Sequence, residues 1–126
     1  MRIEYKEKNS LEKRLRDSQE LLKKYPDRVP IVLEKRKNRS WNPFHHETNG
    51  LIELKNNKFL APKDLTVGQF FHIVRKNLNL RPDEALYFFI NNKMPLLTAS
   101  LGSIYREEHD QDQFLYVLYS QEETFG

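Results

Sequence analysis

The chain has 126 residues and a mass of 15.2 kDa, the size of one domain that buries on the order of two-thirds of its unfolded surface. Hydrophobic residues make up 38% and charged residues 31%, with a mean hydropathy of −0.78. No stretch approaches the roughly 20 apolar residues of a membrane-spanning helix, and the opening MRIEYKEKNSLEKR has no run of signal-peptide length. Cysteine is absent, which excludes disulfides, Cys-based zinc sites and a thiol nucleophile; a cytoplasmic location is expected. The net charge of +3 conceals a gradient, because residues 1–40 hold 13 Lys/Arg against 7 Asp/Glu while residues 81–126 hold 3 against 8. Either an anionic partner or solvated helix faces would account for the basic beginning.

In chain order, Leu11, Leu15, Ser18 and Leu22 recur at helical spacing, with Ser10 as N-cap and Pro26 as stop. A shorter helix, Ile3 to Lys8, precedes. In Arg28–Lys35 the period changes to two: Val29, Ile31 and Leu33 face one way, Arg28, Pro30, Val32 and Glu34 the other. Pro30 cannot donate to a ladder, so the strand is expected at an edge or a bulge. Residues 36–50 are polar and read as a loop. A second strand is centred on Lys58–Ala61 and ends at Pro62. Thr66 and Gln69 form a capping box for a helix over Val67–Leu78, whose stripe is Val67, Phe70, Phe71, Val74 and Leu78. Ala85–Ile90 is a strand of buried type, Ser100–Glu107 a short helix, and Phe114–Ser120 the last strand. A hairpin, a crossing helix and two further strands make an α+β chain of ubiquitin-like β-grasp class: a four-stranded mixed sheet with two added N-terminal helices. The helical extension would occupy 1–25 and the β-grasp domain 26–126, with a flexible tail at 121–126.

The blocks KKYPDRVPIVLEK (23–35), KFLAPKDLTVGQF (58–70), ALYFFINNKMP (85–95) and FLYVLYSQEETFG (114–126) together resemble the autophagy ubiquitin-like modifiers of the GABA-receptor-associated-protein type. The resemblance implies a protein with no active site of its own. Its Gly126 carboxylate would be adenylated by an activating enzyme, carried as a thioester by a conjugating enzyme, and passed to phosphatidylethanolamine on the autophagosome membrane. Glycine suits that role because a narrow slot beside another enzyme's cysteine leaves no room for a Cβ. Phe125 would be read by the family's processing and delipidating cysteine protease. The two acyl chains of the conjugated lipid anchor a protein stably where one would not.

Resemblance also implies capture of receptor peptides with an aromatic residue, two spacers and an aliphatic residue, laid as a strand beside the sheet edge. The aromatic pocket would comprise Asp17, Leu21, Pro30, Val32, Lys58, Leu60 and Phe114. The aliphatic pocket would comprise Phe59, Ala61, Pro62, Leu65, Phe70 and Ile73. Lys24, Arg28 and Lys58 would meet an acidic flank, where charge sets on-rate and register more than affinity. Alternation agrees, since Lys58 and Leu60 lie on one face of their strand and Phe59 and Ala61 on the other. For any single apolar residue here core packing is the simpler account; the cations Lys58 and Arg28 are harder to explain by packing.

Three departures from the family pattern stand out. Asn56 and Asn77 replace basic residues, weakening the preference for an acidic flank; Ala61 is smaller than the usual valine; and 36–50 is about ten residues longer. That loop holds Trp41-Asn42-Pro43-Phe44, which could fold back into the groove, against the simpler reading of a mobile surface loop. His45-His46 lack the spacing of a helical zinc pair, and no metal or cofactor is assigned. Asp110 and Asp112 read as a turn and not as a calcium site. Lys6, Lys8, Lys13, Arg14 and Arg16 would either contact anionic headgroups or tubulin, or stay in water while Leu11, Leu15 and Leu22 pack on the sheet. Rival readings are an unconjugated peptide-binding adaptor, distinguished by the fate of the Gly126 carboxylate, and a nucleic-acid binder, disfavoured because residues 1–40 hold few aromatics and no recognition motif. A monomer is expected before conjugation.

Overall fold

Ser10 caps helix α2 (Leu11–Lys24), its Oγ accepting the Lys13 N–H at 3.2 Å, after a single-turn helix α1 (Glu4–Lys8). A computed structural model describes residues 2–36, 52–53 and 57–121. The strands are β1 (Arg28–Lys35), β2 (Ile52–Glu53), β3 (Lys58–Pro62), β4 (Tyr87–Phe89) and β5 (Leu115–Ser120), and the later helices α3 (Val67–Asn77) and α4 (Leu101–Glu108). They form one mixed sheet in the order β2-β3-β1-β5-β4. The four strands expected from sequence are all present, and the two-residue β2 extends the sheet beyond β3. Strand β1 pairs antiparallel with β3, from Arg28↔Pro62 to Val32↔Lys58, and parallel with β5, from Ile31↔Leu115 to Lys35↔Tyr119.

Pro30 therefore lies in the central strand, correcting the expectation of an edge or bulge. The reason is directional. Leu33 donates its N–H to Asn57 O, on the β3 side, at 2.9 Å, so residues an odd number away, Pro30 among them, turn their nitrogen toward β5. Pairing with β5 begins only at Ile31, and the missing donor falls one residue before the ladder.

Both faces of β1 are covered, which is why its burial is continuous instead of alternating. Val29, Ile31 and Leu33 join Phe59, Ala61 and Val117 beneath Val67, Phe70, Ile73 and Val74 of α3 in the main core, with Phe71 packed at its margin. On the other face Val32, Phe114 and Tyr116 enclose Tyr5 of α1, with Leu21 of α2 alongside. Helix α3 starts at the expected capping box: Thr66 Oγ1 accepts the Gln69 N–H at 3.1 Å and Gln69 Oε1 accepts the Thr66 N–H at 2.9 Å.

Apart from Leu21, helix α2 does not seat itself on its leucines. Leu11 is exposed, Leu15 and Leu22 are half-buried, and the residues turned fully inward are Arg14 and Ser18. The physical cause is the buried carboxylate of Asp112, whose Oδ2 accepts Arg14 Nη1–H at 2.6 Å, while Ser18 Oγ donates to the Asp112 carbonyl at 2.6 Å. Oδ1 of the same side chain accepts the Phe114 N–H at 2.9 Å, and Tyr116 donates its hydroxyl to Oδ2. Asp110 and Asp112 thus shape a turn, as expected from sequence, and spend their oxygens on protein partners.

Candidate functional site

The residues assigned to the two pockets converge on β3 from opposite sides of the sheet. In register, Pro30 of β1 faces Leu60 and Val32 faces Lys58. Phe59 and Ala61 point into the core shared with Phe70 and Ile73 of α3. Lys58 instead reaches α2, its Nζ 3.8 Å from Asp17 Oδ2 and 5.1 Å from the centre of the Tyr5 ring. One strand therefore serves two environments, and the alternation read from the sequence is the geometry found.

Burial divides the set. Val32, Leu60, Phe59, Ala61, Phe70 and Phe114 are at most 1% exposed, so packing accounts for them as far as it goes. Leu21, Pro62, Leu65, Asp17 and Lys58 are partly open to solvent, Arg28 likewise at the start of β1, and Lys24 is exposed at the end of α2. Leu65 packs at the rim of the core, its carbonyl accepting the Leu101 N–H at 2.8 Å.

Electrostatics tie the aromatic side together. Burial pulls the Lys58 ammonium pKa down, with Asp17 opposing it. Burial alone would raise Asp17, but the Lys13 hydrogen bond (2.8 Å), the Lys58 charge and the Tyr5 hydroxyl (3.1 Å) hold its carboxyl below the usual range. The sequence offered no packing account of Lys58; the structure supplies one in Asp17 and Tyr5.

Sequence reasoning missed Tyr5 and Glu34. The Tyr5 ring meets Phe114 edge-on at 5.6 Å between centroids. The buried Glu34 carboxylate accepts the N–H groups of Glu4 and Tyr5 at 2.8 and 2.9 Å, satisfying donors that a helix N-terminus leaves free. Burial pushes its carboxyl up while those two hydrogen bonds pull it back. The even spacing of Glu34 after Pro30 and Val32 was the signal that it shares their face.

The basic residues of 1–16 have acidic neighbours. Lys6 pairs with Asp110, Lys8 with Glu4 (2.6 Å), Lys13 with Asp17 (2.8 Å), Arg14 with Asp112 (2.6 Å) and Arg16 with Glu12 (3.8 Å). Arg14 is buried and cannot face a headgroup, whereas Lys8, Lys13 and Arg16 stay exposed in i,i+4 pairs of the kind that contribute little to stability. Asn77, at one of the two departures from a basic residue, donates its Nδ2–H to Ile73 O at 2.8 Å near the end of α3. Asn56, the segment 37–50 with Trp41–Phe44 and His45-His46, and the tail with Phe125 and Gly126 lie outside the described residues. Among the described residues no three His, Cys, Asp or Glu gather to hold a metal, and no helix is long and apolar enough to cross a membrane.

A family model described as autophagy protein Atg8, ubiquitin-like, matches residues 13–126. The chain belongs to the Atg8 family. Among solved structures, the crystal structure of ATG8 from Trypanosoma brucei is 36% identical, with 100% of each chain covered and a TM-score of 0.78. This Atg8-family protein is thus an α+β ubiquitin-like protein of autophagy, and its family is one of modifiers and not of enzymes.

Proposed function

We propose that this Atg8-family protein is conjugated through Gly126 to phosphatidylethanolamine, with Phe125 read by the protease that processes and delipidates it. On the autophagosome membrane it holds receptors by peptides of aromatic-x-x-aliphatic pattern. An activating and a conjugating enzyme act on it, and it supplies no catalytic group. The observation that carries the peptide reading is β3 itself: Lys58 and Leu60 face α2 while Phe59 and Ala61 face α3, so a segment lying along this strand meets two chemically different pockets two residues apart. Asp17, Leu21, Pro30, Val32 and Phe114 complete the aromatic pocket, and Pro62, Leu65, Phe70 and Ile73 the aliphatic one. Lys24, Arg28 and Lys58 face acidic residues before the aromatic anchor, which steers encounter more than it adds affinity.

The test is a titration of a synthetic peptide with two acidic residues followed by Trp-x-x-Leu, read at the backbone amides. The reading expects the largest shifts within 58–62, abolished when the peptide's Trp and Leu are both replaced by Ala. Shifts that avoid β3, or that survive the double replacement, contradict it.

A further inference from the structure

The proposed docking edge is already occupied. Strand β3 has two sides. One is closed by β1, in unbroken register from Arg28↔Pro62 to Val32↔Lys58. The other carries β2, antiparallel, with Ile52 opposite Leu60 and Glu53 opposite Phe59. A peptide that adds a strand to β3 needs the main-chain groups on that second side, because β1 is the centre of the sheet and cannot leave it. Leu60 and Phe59 are also the residues whose side chains begin the two pockets. We propose that β2 is a built-in competitor strand, and that peptide capture by this protein proceeds by exchange of Ile52–Glu53 for the incoming segment. The inference rests on the peptide-capture reading.

Two structural facts make such an exchange workable. First, among the described residues β2 is two residues long and pairs with β3 at Ile52↔Leu60 and Glu53↔Phe59, whereas a peptide running the length of the five-residue β3 makes more bonds and adds two anchors. Second, Glu53 is joined to Lys58 by only four residues, so the competitor is always present at an effective concentration in the millimolar range. A strand that is weak alone but permanently tethered keeps an exposed edge from pairing with the wrong chain and lowers the apparent affinity of every ligand by the fraction of molecules with the edge open. For a strand of this size the reduction is about tenfold. Specificity follows, since segments lacking one anchor would not displace β2.

The full-length protein with Ile52→Pro and Glu53→Pro together removes both N–H donors of β2, whichever of them faces β3. Titrating the acidic Trp-x-x-Leu peptide into wild type and variant should give a Kd about tenfold lower for the variant. Equal affinities, or weaker binding by the variant, overturn the inference and leave the capture reading intact; no binding by either protein overturns that reading, and this inference with it. A second measurement needs no variant. Hydrogen exchange on the wild type at saturating peptide should become faster at 52–53 while 58–62 becomes protected. Unchanged exchange at 52–53 with 58–62 protected would show that peptide and β2 do not compete.

Discussion

Asp112→Ala tests the internal anchor that places α2 beside the proposed groove. The native carboxylate is fully buried and accepts from Arg14 at 2.6 Å, from the Phe114 N–H at 2.9 Å and from the Tyr116 hydroxyl. Its removal strands three donors, one of them the guanidinium of Arg14, whose side chain is only 10% exposed. Breaking a buried ion pair from one side costs about 3–5 kcal/mol, because a charge is left in the interior without a partner. In a domain of this size that lowers the midpoint of thermal unfolding by about 10–20 °C. Urea denaturation at pH 7 gives the free energy. The cost should shrink by about 1–3 kcal/mol in the double variant with Arg14→Met, since the stranded cation is then gone. A loss below about 1 kcal/mol for Asp112→Ala alone, or additive effects of the two substitutions, would refute the argument. Because α2 carries Asp17 and Leu21 of the proposed aromatic pocket, the surviving folded fraction should also bind the Trp-x-x-Leu peptide more weakly.

Thr66→Ala opens the capping box of α3 and should cost about 1 kcal/mol in the same assay; unchanged stability would mean that the box is ornamental. Glu34→Gln tests the buried carboxyl beneath α1. Its folded pKa is raised, so native Glu34 holds its proton to higher pH than the unfolded chain, and its contribution to stability declines as pH rises above the ordinary value of 4.5. The stability of wild type relative to Glu34→Gln should therefore fall as pH rises from 4.5 toward neutrality; a difference that is flat or grows with pH is the contrary result. Lys58→Met keeps the buried stem and removes the charge. Stopped-flow association of the acidic-flanked peptide should slow about two- to fivefold at low salt and match wild type near 1 M salt, and a salt-independent loss would assign Lys58 to packing alone.

What the sequence displayed best was the periodicity within single elements. The stripe of α3 and its Thr66–Gln69 box fix that helix within a residue of Asn77, and the alternation of β1 separates Val29, Ile31 and Leu33 from Val32 and Glu34. Patterning failed where a polar network replaced apolar contact. Arg14 and Ser18 take the inward positions of α2 because Asp112, about a hundred residues away, is buried opposite them, and no local pattern reports a partner so distant. Pro30 misled for a similar reason, since the offset between the β3 and β5 ladders is a property of the assembled sheet. Strand β2 is too short for its two residues to show a period. Of the groove, the two-sided character of β3 was legible from Lys58–Ala61; the rest came from resemblance, because a buried Leu60 or Phe114 looks the same in a sequence whether it lines a pocket or a core. Tyr5 as the partner of Lys58 and Phe114 required the fold.

The fate of the Gly126 carboxylate is read most directly from the intact mass of the protein recovered from cell membranes before and after starvation. The account predicts a phosphatidylethanolamine adduct, mapped to Gly126, increasing on starvation and absent in Gly126→Ala. A free Gly126 carboxylate in the membrane fraction under both conditions would contradict it and leave a peptide-binding adaptor in its place.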